Sequence, residues 1–152
     1  MGNKGAEKHS NGILRKENIL LNLGKIKKAD AIQMAGQLLI DGGYTGQGYI
    51  QAMLEREKVV STYIGNGVAI PHGVGSSKNQ IKQSGIVVLQ FPQGIDFGDG
   101  NTAYLIIGIA GKGDEHLKIL SNIAASLENE KVVEKLVNTK NVNDIYDIFI
   151  SN

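Results

Sequence analysis

Two histidines and an arginine carry the chemistry that stands out in this sequence. His72 closes the stretch "GNGVAIPHG", after a short apolar run and between Pro71 and Gly73. Proline fixes its own φ and has no amide proton, so the chain enters His72 stiffly. The glycine that follows permits a sharp turn and leaves space around the ring. An imidazole that is rigid and reachable suits a nucleophile or a proton carrier. The same pattern also describes a histidine that only closes a strand end with a satisfied hydrogen bond. His116 is informative through its phase: His116, Leu120, Ile123 and Leu127 fall at i, i+4, i+7 and i+11. The histidine therefore begins an apolar stripe and faces the protein body. It also lies at a helix N-terminus just past an apolar run at 103–111, where open α/β sheets favour ligands and free amides favour anions such as phosphate. A packed histidine closing the helix end is the alternative. Arg56 shares one helical face with Tyr49 and Met53, while its sequence neighbours Glu55 and Glu57 are expected to face elsewhere. The third histidine, His9, lies in a polar stretch and is set aside.

Paired histidines with an arginine fit phosphoryl transfer. A neutral imidazole attacks phosphorus through one ring nitrogen, and the phosphoramidate formed is reactive enough to pass the group on. Catalysis then rests on positioning and on stabilising charge on the equatorial oxygens. Arg56 offers a forked donor for those oxygens, and His116 offers a ring N–H or a positive charge. Other chemistries find less support. No HExxH or His-x-x-His pattern is present, and Glu115, adjacent to His116 on a helix, diverges from it, so no metal is called for. No G-x-S-x-G elbow, phosphate-binding loop or dinucleotide fingerprint occurs, so no nucleotide cofactor is called for either. The absence of cysteine excludes disulfides and thiolate chemistry.

The elements that must hold these residues follow from composition and period. The chain of 152 residues, 41% hydrophobic and 20% charged, suits one domain with a real core. Sixteen basic residues balance fifteen acidic ones, which leaves no footprint for nucleic acid or for an anionic membrane surface. The longest apolar runs fall well short of the roughly 20 residues that span a bilayer, and no secretory signal opens the chain. A cytoplasmic setting is the expectation, without direct membrane insertion.

Residues 1–12 read as a flexible leader, and 13–152 as the domain. The run at 17–23 reads as a strand. A helix follows, with Ile32, Ala35, Leu38 and Leu39 at helical spacing and Gly42–Gly43 as its stop. Thr45 is placed to cap a second helix through "TGQGYIQAMLEREK". "TYIGNGVAIPHG" reads as two short strands around a Gly-Asn-Gly turn. The runs 84–91 and 103–111 are apolar on both faces, as in central strands covered on both sides. An amphipathic helix over 114–130 and two further helical patterns close the chain. The fold class is therefore α/β: a single-domain sandwich, its largely buried central β-sheet flanked by helices on both faces.

Five separated motifs, "ENILLNL", "GGYTGQGYIQAMLEREK", "TYIGNGVAIPHG", "FPQGIDFG" and "EHLKILSNIAASLENEKVVEKL", resemble in order the IIA component of the phosphoenolpyruvate-dependent sugar phosphotransferase system, mannitol type, over about residues 13–150. The resemblance implies a mixed central sheet and a phosphotransferase with a phosphohistidine intermediate. It implies that His72 accepts phosphate from the phosphocarrier HPr, at Nε2, and gives it to a cysteine of the IIB component of an IIB/IIC sugar permease. His116 and Arg56 would line the same pocket as phosphoryl stabilisers. The chain would work in the cytoplasm, in transient association with that membrane permease. Some relatives carry an acidic residue where this chain has Asn66. Serving two successive protein partners calls for a shallow, apolar surface around His72, which Gly73, Gly75 and the loop at 92–100 are placed to supply. A regulatory phosphoacceptor resembling the nitrogen-type branch is the alternative, and a histidine-based phosphohydrolase is a third reading.

Overall fold

A computed structural model describes residues 13–73 and 79–150; the expected leader lies outside them. Five strands form one sheet: β1 (Ile19–Leu20), β2 (Tyr63–Gly65), β3 (Val68–Ala69), β4 (Gly85–Asp96) and β5 (Thr102–Ala110). Their spatial order is β1-β4-β5-β3-β2. The sheet is mixed, because β1 runs parallel to β4 and β3 parallel to β5, whereas β4/β5 and β2/β3 are antiparallel. Five α-helices cover it among the described residues: α1 (Lys28–Asp41), α2 (Tyr49–Val59), α3 (Glu115–Ser126), α4 (Glu130–Asn138) and α5 (Val142–Ile150).

The two central strands show why both faces are apolar. Side chains alternate across a strand. Ile86 and Val88 of β4, with Ile107 and Ile109 of β5, pack against α3, α4 and α5. Val87 and Leu89, with Ile106 and Ala110, pack against α1 and α2. A continuous run such as "GIVVL" thus feeds two cores, one on each side. In the hairpin between β2 and β3, Asn66 (φ 53°) and Gly67 (φ 78°) both have positive φ. That combination matches the twist of the flanking strands, and Asn-Gly tolerates it best.

Four expectations change in detail. The run 17–23 yields only the two-residue β1, preceded by a 3₁₀ turn at Lys16–Asn18. The left-handed backbone of Asn22 (φ 59°), whose amide donates to Gln90 Oε1 at 2.8 Å, breaks the strand there. Thr45 does not cap α2, which starts four residues later behind Gly48; Thr45 is buried and pairs with Ile81 in an isolated bridge. The helix expected over 114–130 ends at Ser126. Asn129 then caps α4 by accepting from the amides of Lys131 at 2.8 Å and Val132 at 3.3 Å. Finally, β4 continues through Pro92 to Asp96, so 92–100 is mostly strand rather than loop.

Candidate active site

His72 extends the line of β3. It pairs with Ile109 in an isolated parallel bridge, and the Ile109 amide donates to the Pro71 carbonyl at 2.9 Å. The proline costs nothing at this position, since the bond uses its carbonyl and not the amide it lacks. The side chain is buried, at 7% exposure. Its Nδ1 lies 2.7 Å from the Ile70 carbonyl oxygen. A carbonyl only accepts, so the neutral ring carries its proton on Nδ1 and leaves the Nε2 lone pair free.

The sheet presents His72 between the two helical layers. His116, in the first turn of α3, approaches from one side, with ring centroids 5.2 Å apart and planes at 61°. Arg56, in the last turn of α2, approaches from the other. One of its guanidinium nitrogens donates to the Val60 carbonyl at 2.6 Å, which anchors the group at the helix end. Burial pushes the His72 ring below the usual histidine range. The bond to Ile70 works against this, and the positive charge of Arg56 and the neighbouring His116 add to it. Burial, and then Arg56, push His116 down as well. Both rings are therefore neutral at neutral pH, the form in which an imidazole can act as a nucleophile.

The three residues singled out by sequence thus converge, from a strand end and from two helices on opposite faces. Two other segments singled out in the sequence, the Asn66 turn and 92–100, lie elsewhere. The Asn66 turn lies six residues before His72 along an extended chain, roughly 20 Å away. There the Asn66 side-chain Nδ2 donates to the carbonyls of Leu127 at 3.2 Å and Glu128 at 3.0 Å, closing the end of α3. The segment 92–100 is also remote: Asp96 pairs with Thr102 at one end of β5, whereas His72 pairs with Ile109 at the other. Gly75 lies outside the described residues.

Sequence reasoning misses other residues at the site. The Tyr49 hydroxyl, fully buried, donates to the Ile109 carbonyl at 2.7 Å and accepts from the Gly73 amide at 2.9 Å, so it clasps both sides of the His72 bridge. Burial, only partly offset by the Gly73 bond, pushes its pKa up to about 12. Glu57, expected to face away, is buried. It pairs with Lys28 at 3.0 Å and accepts from the Thr62 amide at 3.0 Å and the Thr62 hydroxyl at 2.6 Å. Burial alone would raise its pKa; the bonds from Thr62, Ser61 and Lys28 outweigh that and hold it below the usual carboxylate range. The sequence does carry this signal: Tyr49, Met53 and Glu57 are spaced i, i+4, i+8 on the buried face of α2. Among the described residues the exposed large apolar side chains are Val59 (76% exposed) and Val60 (59%), which follow Arg56 in sequence, Leu117 (71%), which follows His116, and Ile64 (41%) on β2.

Known proteins share this arrangement of chain. The mannitol-specific phosphotransferase enzyme IIA component of Bacillus subtilis is 48% identical over 137 residues, covering 90% of this chain and 96% of that one. The mannitol-specific EIICBA component of Vibrio cholerae is 44% identical over 137 residues, 89% of this chain and 21% of that longer one. Among solved structures, the complex of the mannitol enzyme IIA with phosphorylated mannitol enzyme IIB from Escherichia coli matches with a TM-score of 0.86 and 35% identity, over 92% of this chain and all of that one. Residues 12–152 match the family described as "Phosphoenolpyruvate-dependent sugar phosphotransferase system, EIIA 2", and the chain belongs to that family.

Proposed function

We propose that this chain relays a phosphoryl group in mannitol uptake, with His72 as its covalent carrier. The observation that supports this most is the bond from Nδ1 to the Ile70 carbonyl, which leaves Nε2 as the one ring nitrogen with a free electron pair. In the first step, the Nε2 pair forms a bond to the phosphorus carried by phospho-HPr. The donor's P–N bond breaks, and its electron pair stays on the donor imidazole. In the second step, a cysteine thiolate of the IIB component forms an S–P bond while the Nε2–P bond breaks and the pair returns to Nε2. The proton stays on Nδ1 throughout, donated to the Ile70 carbonyl oxygen, and that acceptor stabilises the positive charge the phosphorylated ring acquires.

His116 and Arg56 supply donors to the equatorial phosphoryl oxygens. Neither reorganises greatly, because each is fixed at a helix end beside His72. The apolar collar of Val59, Val60 and Leu117 gives HPr and IIB a surface to dry and seal the reacting group. No helix among the described residues is long and apolar enough to cross a membrane, so sugar translocation falls to an IIB/IIC partner.

The test is incubation with phosphoenolpyruvate, enzyme I and HPr, followed by intact-mass measurement and peptide mapping in alkali, which preserves phosphohistidine. One phosphate on His72 is expected. Phosphate on His116 with none on His72 overturns the assignment. The isolated phosphoprotein is then mixed with mannitol alone and with a mannitol IIB domain. Transfer to the IIB cysteine is expected, and rapid loss to mannitol without IIB overturns the relay.

A further inference from the structure

His116 comes close to His72 only because the chain just before it is unusually thin. Gly111 follows β5 and is buried. A methyl group built on its Cα would lie 2.4 Å from the His116 Cα, 2.8 Å from its Cβ and 3.0 Å from its amide nitrogen. Contacts of that length to backbone cannot be relieved by a rotamer change, so any larger residue must push the first turn of α3 outward. The constraint is purely one of space, because Gly111 is not among the residues with positive φ. A second, independent contact fixes the same turn. The hydroxyl of Ser84, buried just before β4, accepts from the Lys112 amide at 2.9 Å and donates to the Glu115 carboxylate. One side chain therefore straps both ends of the loop that leads into His116.

We infer that Gly111 and Ser84 are positioning residues for phosphoryl transfer. Gly111 sets how closely His116 approaches His72, and Ser84 stops the turn from swinging away. Neither touches the phosphoryl group. The inference rests on the stabilising role proposed for His116, and the experiment separates the two.

Transfer from phospho-HPr is measured for Gly111→Ala, His116→Ala, the double variant and Ser84→Ala, with circular dichroism as the check on folding. Contact between the His72 and His116 rings is followed by the nuclear Overhauser effect between their ring protons. Gly111→Ala is expected to lose that effect and to slow transfer to about the level of His116→Ala, on the order of 10². In the double variant, Gly111→Ala is expected to add no further loss, because the side chain it displaces is already gone. Ser84→Ala removes only a hydroxyl and crowds nothing, and is expected to weaken the ring contact and transfer in the same direction by a smaller factor. Should Gly111→Ala not fold, Ser84→Ala with and without His116→Ala carries the same comparison. An unchanged ring contact in the folded variants, or a full additional loss in the His116→Ala background, overturns the inference. Wild-type transfer by His116→Ala itself would instead sink the role of His116, while a lost ring contact in Gly111→Ala would still uphold the spacer.

Discussion

His72 and His116 face each other, yet they are held by opposite means. His72 is tied by bonds: its ring to Ile70, the preceding carbonyl to the Ile109 amide, and the following amide to the Tyr49 hydroxyl. The His116 ring makes no hydrogen bond among the described residues, and its place is set by packing against Gly111 and by the strapped turn before it. The difference fits the two tasks proposed for them. A nucleophile must offer one defined nitrogen, so its tautomer is fixed by a permanent acceptor. A stabiliser must keep its N–H for an oxygen that arrives later, so it is held by shape and left unbonded.

Breaking the bonded partner gives the largest expected effect. His72→Ala should take up no phosphate at all from phospho-HPr, as read by intact mass, with the fold retained by circular dichroism. A fully phosphorylated variant would move the carrier elsewhere. The shape-held partner and Arg56 come next. His116→Ala and Arg56→Gln each remove one donor, and each should slow transfer by about 10²–10³ while leaving the fold intact. Wild-type rates in both would assign these residues to structure alone.

Tyr49→Phe sharpens the comparison from the bonded side. It keeps the buried ring and deletes the hydroxyl, leaving the Gly73 amide and the Ile109 carbonyl without their partner. A loss of about 1–3 kcal/mol in denaturant unfolding is expected, with a smaller effect on transfer than either donor variant. An unchanged unfolding midpoint would show that the clasp is dispensable.

The smallest effect is electrostatic. Folding lowers the pKa of both histidines, chiefly through burial, so both should stay neutral below the ordinary histidine value of about 6.5. The acid limb of the transfer rate should accordingly lie below that pH. Arg56 disfavours a second positive charge, so Arg56→Gln should raise both pKa values and shift the acid limb toward neutrality. Proton NMR titration of the two rings reads this directly, and a downward shift would contradict the sign.

What the sequence discloses and what it hides divide along the same physical line. Period and local chemistry act within one element, so the helical phase of His116, the face of Arg56 and the stiff entry into His72 are legible in the residues alone. Contacts made across elements are not. Glu57 looks like a solvated helix charge because Lys28 and Thr62, which make its burial tolerable, lie on other elements. The spacing of Gly111 against His116 depends on the path of a turn that no residue type specifies. Pro92 reads as the end of a strand, yet β4 runs through it where its register with β5 shifts between Gln90 and Ile95, a place where proline is tolerated in a sheet. With that strand continued, 92–100 is carried away from His72 rather than folded beside it.

The sheet's borders have a further consequence. Among the described residues its outermost strands are β1 and β2, of two and three residues. A protein that keeps valine and leucine bare for changing partners runs a standing risk of self-association. Borders this short offer little open backbone for another chain to zip onto. The separation of these borders from bare apolar side chains is incomplete: Val59, Val60 and Leu117 lie outside the strands, whereas Ile64, 41% exposed, sits on β2 itself, so the brevity of that strand is what limits its reach as a template.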